Sequence, residues 1–102
     1  MGAKIPWHVR QYAKAELMNY STNKKKVEYL KGNEKRNVSR KIKEIEKAFD
    51  RLSEYDREIA SVIFIEHYTQ IKAEIEKGIT YKIYYRVMNK LIQYTAEEMK
   101  LI

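Results

Sequence analysis

The chain has 102 residues, no cysteine and a formal net charge of +7. That length suits one domain with a modest core, and the absence of cysteine excludes disulfides, thiolate metal sites and cysteine nucleophiles together. Three glycines and one proline, against many Lys, Glu, Ile, Leu and Tyr, favour long helices and give strands few turn signals, so an all-α fold of about five to six helices is expected.

The charge is unevenly spread. Residues 1–41 hold eleven cations against Glu16, Glu28 and Glu34, whereas the remainder is close to balanced. A basic N-terminal helical segment over 1–33 is therefore expected to lead into a helical core over 34–102, the two forming one compact domain. The longest apolar run, Ala60 to Ile65 broken by Ser61, is too short to cross a bilayer, and Met1 to Trp7 has no signal-peptide core. A soluble cytoplasmic protein with no membrane partner is the expectation.

Met1 to Pro6 reads as a loosely held lead-in, with Pro6 suited to a first helical turn. From Trp7, the positions Val9, Tyr12, Ala13, Leu17 and Tyr20 recur at helical spacing and predict a helix to about Asn19. Arg10, Lys14 and Asn19 fall on its other face, and Trp7 is read as a packing anchor. Ser21-Thr22-Asn23 interrupts the pattern, and any of the three can cap the next helix. Lys24 to Lys31 then reads as a short basic helix with a narrow Val27 and Leu30 stripe. Its lysines Lys24, Lys25 and Lys26 are candidate phosphate contacts, and equally an ordinary solvated run. Gly32-Asn33 stops this segment as the expected hinge.

Glu34 to Leu52 is a strong helix, because Val38, Ile42, Ile45, Phe49 and Leu52 alternate four- and three-residue steps. The stripe can serve an intramolecular bundle or a dimer seam, and the bundle is preferred. Ser53 with Asp56 forms a capping-box-like S-x-x-D opening the next helix. Since Ile59 to Ile65 is apolar nearly all round, that helix is expected at the centre of the domain. Thr69 caps a short helix, Gln70 to Lys77, with Ile71 and Ile75 expected to face the core.

Gly78 separates that helix from a longer one, and Thr80 is a candidate cap, so Tyr68 to Tyr94 has the grammar of a helix-turn-helix. In the second helix, Thr80 to Gln93, the residues Ile83, Val87 and Leu91 share one face and are expected to pack inward, widened by Tyr84, Met88 and Tyr94. Tyr81, Lys82, Tyr85, Arg86, Asn89 and Gln93 lie largely on the other side. Lys82, Arg86 and Lys90 meet no acid between Thr80 and Gln93. A DNA major groove would accept such a surface. Thr95 to Ile102 is read as a fraying tail.

Other chemistry is poorly supplied. His8 and His67 lie far apart, in no metal-ligand spacing. His67 is read as a partner of a helix C-terminus, and three dispersed glycines cannot build a phosphate-cradling loop. No enzyme activity, metal or cofactor is expected.

The segments Leu52 to Ile59, Tyr68 to Ile71 with Ile75, and Gly78 to Arg86 with Leu91 resemble the helix-turn-helix of sigma-70 region 4. With the opening WHVRQYAKAELMNYSTNKKKVEYL, the chain resembles the small phage transcriptional regulators of the RinA and ArpU kind. The resemblance implies a phage-encoded DNA-binding regulator working in the cytoplasm of a bacterial host. It carries the recognition role to Thr80, Tyr81, Lys82, Tyr85, Arg86 and Asn89. On this reading Thr69, Gln70 and Lys72 rest against the DNA backbone, Arg86 reads guanine and Asn89 adenine. Tyr81, Lys82 and Tyr85 hold phosphates, and Arg10, Lys14, Lys24, Lys25 and Lys26 add salt-dependent affinity. Double-stranded DNA is the expected partner, with RNA polymerase and a second copy of the chain as further candidates. Two rival readings stay open: a small-terminase-like packaging protein that forms rings, and a helical protein-interaction module.

Overall fold

Pro6 sets the start of the first helix in the computed structural model, which describes residues 5–102. Helix α1 (Trp7–Met18) buries Val9, Ala13 and Leu17, one residue per turn on a single stripe. Trp7 is 75% exposed and is not the packing anchor that was expected. Two positions before Val9, it lies about 200° round the helix from the buried stripe. The lead-in that was expected over Met1 to Pro6 falls largely outside the described residues.

Helix α2 (Tyr20–Lys26) follows after Asn19 alone, so Ser21-Thr22-Asn23 lies inside a helix and does not interrupt one. The helix that was expected on Lys24 to Lys31 is displaced toward the N-terminus, and the chain turns at residues 27–29. No residue of α2 is buried. Its attachment to α3 (Gly32–Asp50) is made by the Tyr20 ring, 6.2 Å from Phe49, and by polar contacts. Tyr20 donates to Glu46 Oε2 at 2.7 Å, and Lys24 Nζ lies 2.5 Å from the same oxygen.

Gly32 has φ +63° and redirects the chain into α3. There Ile42, Ile45, Ala48 and Phe49 are buried, with Leu52 just beyond. This stripe faces α6 (Tyr81–Glu98), which removes it from use as a dimer seam. Helix α4 (Glu54–Phe64) starts where Ser53 Oγ accepts the Asp56 N–H at 3.2 Å. The other half of the expected capping box is missing, because the Asp56 carboxylate reaches across to α6.

Helix α5 (Gln70–Lys77) is capped by Thr69, whose hydroxyl accepts the Lys72 N–H at 3.2 Å. Ala73 is its one buried residue. Ile71 and Ile75 are 68% and 78% exposed and do not face the core as expected. A small residue wins the inward position because it lets the α5 backbone approach its neighbours closely.

The centre of the domain is α6 and not α4, since α1, α3, α4 and α5 all pack on it. It buries Tyr84, Val87, Met88, Leu91, Ile92, Thr95 and Ala96. Each large aliphatic side chain enclosed this way contributes roughly 1.5–3 kcal/mol. The expected fraying tail is therefore structural to Glu98: Thr95 and Ala96 are inaccessible, and Arg51 clamps Glu97 and Glu98 at 2.6 and 3.3 Å. No strand occurs among the described residues, and no helix there is long and apolar enough to cross a membrane.

Candidate nucleic-acid interface

The turn between α5 and α6 is three residues long, and each has a distinct task. Gly78 sits in the left-handed region (φ 68°, ψ 20°) and donates its N–H to Glu74 O at 3.1 Å. The Ile79 N–H returns to Ala73 O at 3.2 Å, the six-residue closure that ends a helix at a left-handed glycine. Open space surrounds the position of a Cβ on Gly78, so glycine is required by backbone conformation and not by crowding. Ile79 is buried and pins the turn to the core. Thr80 is extended, and its hydroxyl accepts the Ile83 N–H at 3.4 Å to begin α6.

The approach to α5 is fixed from the other side. His67 takes φ +59° after α4, and the Tyr68 N–H closes back on Val62 O at 3.0 Å. Tyr84 of α6 then donates its hydroxyl to Tyr68 O at 2.7 Å. The α4–α5 connection and the start of α6 are thus held as one unit.

On α6, Tyr81 (63% exposed) and Tyr85 (37%) present a ridge with exposed Lys82. The two rings lie 4.7 Å apart. Arg86 is exposed on one side, but its guanidinium fork is committed to Asp56 of α4, at 3.0 and 2.9 Å. Lys90 approaches the same carboxylate at 3.7 Å. Asp56 is buried, and the hydrogen bonds from Arg86 hold its carboxyl below the usual carboxylate range against the opposing effect of desolvation. Asn89 accepts a hydrogen bond from Arg10 of α1 through Oδ1. Both side chains expected to read bases are therefore engaged within the chain.

The remaining expected residues divide. Lys14, Thr69, Gln70 and Tyr85 line one groove together with Met18 and His67, floored by Ile63, Tyr84 and Met88. Lys25 and Lys26 line a second groove with Ser21, Thr22, Tyr29 and His67. No carboxylate lines either groove, and they meet at His67. Elsewhere the surface grooves include carboxylates: Glu58 and Glu66 beside α4, Glu46 and Asp50 on α3, and Glu44. The two grooves thus carry Lys25 and Lys26 of α2 and Lys14 of α1 past His67 to Tyr85 near the start of α6, with Glu66 beside His67 in the chain and Glu74 bonded to Gln70 at the edge.

Two expected cations line neither groove. Lys24 faces Glu46, because three consecutive helical lysines point about 100° apart and cannot share a face. Lys72 is not a lining residue but lies over the ring of Tyr68, which lines the Lys14 groove, 4.2 Å from its centroid. Gln70 remains at the groove while its amide donates to Glu74 Oε1 at 2.9 Å.

Met18 and Tyr29 are groove residues that the sequence pattern does not single out, and Ser21, Thr22 and His67 join them although the pattern marked those three only as helix-end residues. A signal for the first existed: Arg10, Lys14 and Met18 repeat every four residues, one position after the buried Val9, Ala13 and Leu17. Among the described residues no cluster of His, Asp or Glu is arranged to hold a metal ion. The chain matches no family model, and neither the curated proteins nor the solved structures include a significant match.

Proposed function

We propose that the chain binds duplex DNA and regulates transcription, with the first turns of α6 entering the major groove. The carrying observation is that the exposed start of a helix-turn-helix second helix adjoins two connected grooves whose linings hold Lys14, Lys25 and Lys26 and no carboxylate. Cations clustered without acids attract a polyanion and release its counterions on contact.

Lys82, Tyr81 and Tyr85 are the side chains nearest the groove floor in this reading, with hydroxyl and ammonium donors for base edges or phosphates. Arg10 and Lys14 flank them from α1, and Lys25 and Lys26 reach the backbone further along. Arg86 and Asn89 act as braces, so base selection passes to Tyr85, Lys82 and the Thr69–Gln70 edge. If Arg10, Lys14, Lys25, Lys26 and Lys82 each neutralise one phosphate, the slope of log Kobs against log salt is about −4.5.

Anisotropy titrations of a labelled random duplex over a salt series test the binding, and selection from random duplexes tests the specificity. Lys82→Ala and Lys14→Ala are expected to weaken association and flatten that slope by about one each, while unfolding free energy changes by less than about 0.5 kcal/mol. Absence of association at low ionic strength, or binding indifferent to both substitutions, defeats the reading.

A further inference from the structure

We infer that the hollow between α2 and the α4–α5 connection is a seat for the terminal phosphate of a nucleotide. Ser21, Lys25 and Tyr29 repeat every four residues, and Thr22 and Lys26 repeat beside them, so one side of α2 and the turn after it bring all five to the same hollow. His67, turned by its left-handed backbone (φ +59°), and Ile65 line it from the other element.

The donors around the hollow are unspent. Lys25 and Lys26 form no ion pair among the described residues, whereas Lys24 beside them is held by Glu46. The hydroxyls of Ser21, Thr22 and Tyr29 and the His67 ring make no hydrogen bond there either. Glu66, next to His67 in the chain, lines a different groove with Glu58, so no carboxylate competes inside the hollow. Two ammonium groups exceed what a singly charged backbone diester needs. A phosphomonoester carries close to two negative charges at neutral pH and three acceptor oxygens, and hydroxyl donors fill the acceptor sites that two cations leave open. The hollow, about 530 Å³, falls within the roughly 300–1,000 Å³ of small-molecule sites and has room for more than a bare phosphate. Tyr29 (81% exposed) and Ile65 (41%) supply a ring and an aliphatic chain on which a base can rest.

The seat does not depend on duplex binding, although both readings use Lys25 and Lys26, and it is tested without duplex. Titrating the full chain with adenosine 5′-monophosphate at fixed ionic strength, followed by amide chemical shifts, should give saturable changes confined to residues 21–29 and 65–67. Adenosine alone should give none. Lys25→Ala combined with Lys26→Ala should raise the Kd by at least about tenfold. Lys43→Ala combined with Lys47→Ala, an equal loss of charge at exposed positions of α3, should change it by less than about twofold. The amide shifts of core residues verify that both variants fold. Tyr29→Ala should weaken binding of the mononucleotide and leave that of inorganic phosphate unchanged. A 5′-phosphorylated tetranucleotide should bind more tightly than its 5′-hydroxyl counterpart, and its rank against the mononucleotide separates a strand end from a free nucleotide as the source of the phosphate. Shifts that are absent or do not saturate at these amides, or equal losses from the two lysine pairs, overturn the seat. A 5′-hydroxyl strand that matches the phosphorylated one overturns it too, while leaving the duplex reading standing.

Discussion

The two halves of α6 belong to one continuous helix and have opposite surroundings. From Tyr81 to Asn89 an outer ridge of Tyr, Lys, Arg and Asn is exposed, whereas Leu91, Ile92, Thr95 and Ala96 are fully enclosed. Both halves pack on the rest of the domain, but the first buries only Tyr84, Val87 and Met88 and leaves the ridge open on its outer side. Side chains on a rigid element lose less freedom on meeting a ligand than side chains on a loop, which favours binding. The ridge is thus positioned by the buried side of its own half and by the helix that continues into the enclosed one.

Breaking the enclosed half should have the largest effect. Leu91→Ala is expected to cost about 2–5 kcal/mol, through lost burial and the cavity left behind. Urea unfolding followed by circular dichroism measures it, and a cost below about 1 kcal/mol would deny this half its supporting role.

The junction between the halves is the Arg86–Asp56 brace. Because Arg86 is half solvated, Asp56→Asn should cost only about 1–2 kcal/mol at neutral pH. The pH dependence has a definite sign. The folded Asp56 carboxyl is held below its unfolded value, so its contribution is complete above about pH 4 and is lost as pH falls through the folded value. Wild-type stability should therefore decline below about pH 4, and the Asn variant should decline less steeply. Glu46 and Glu97 are also held low by Lys24 and Arg51, so some acid sensitivity persists. Equal acid limbs for the two proteins would rule out the brace as its origin.

A smaller effect sharpens the comparison from within the core. Thr95 Oγ1 is buried without a hydrogen-bond partner among the described residues. Thr95→Val keeps the shape and removes the unpaired hydroxyl, and is expected to stabilise by about 1 kcal/mol. A calorimetric melt detects this, and a lowered melting temperature contradicts it.

Much of this architecture was legible in the sequence. Helical periodicity gave an all-α class, and Ser53, Thr69 and Thr80 were readable as caps because a hydroxyl before an apolar-periodic run satisfies an open N–H. Gly78 announced the turn for an equally local reason. Partners distant in sequence were not legible. Arg86 had no acid nearby along the chain, yet Asp56 arrives from thirty residues upstream. Periodicity defines the faces of a short helix without stating which one turns inward, and in α5 the fit of Ala73 outweighed two isoleucines. The pair of grooves was equally hidden, since it joins α1 and α2 to α6 through His67.

Helix α2 carries two lysines of those grooves, Lys25 and Lys26, and has no buried residue of its own. Its mooring is the Tyr20 ring beside Phe49 and a polar knot of Tyr20, Lys24 and Glu46, the kind of fastening that brine or acid loosens before any core dissolves. Amide exchange should therefore release α2 ahead of every other helix, and faster as salt is added. If the chain binds duplex DNA as proposed, a cationic arm that yields while α6 stays rigid would follow a backbone that curves away, joining a stiff reader to a pliant grip.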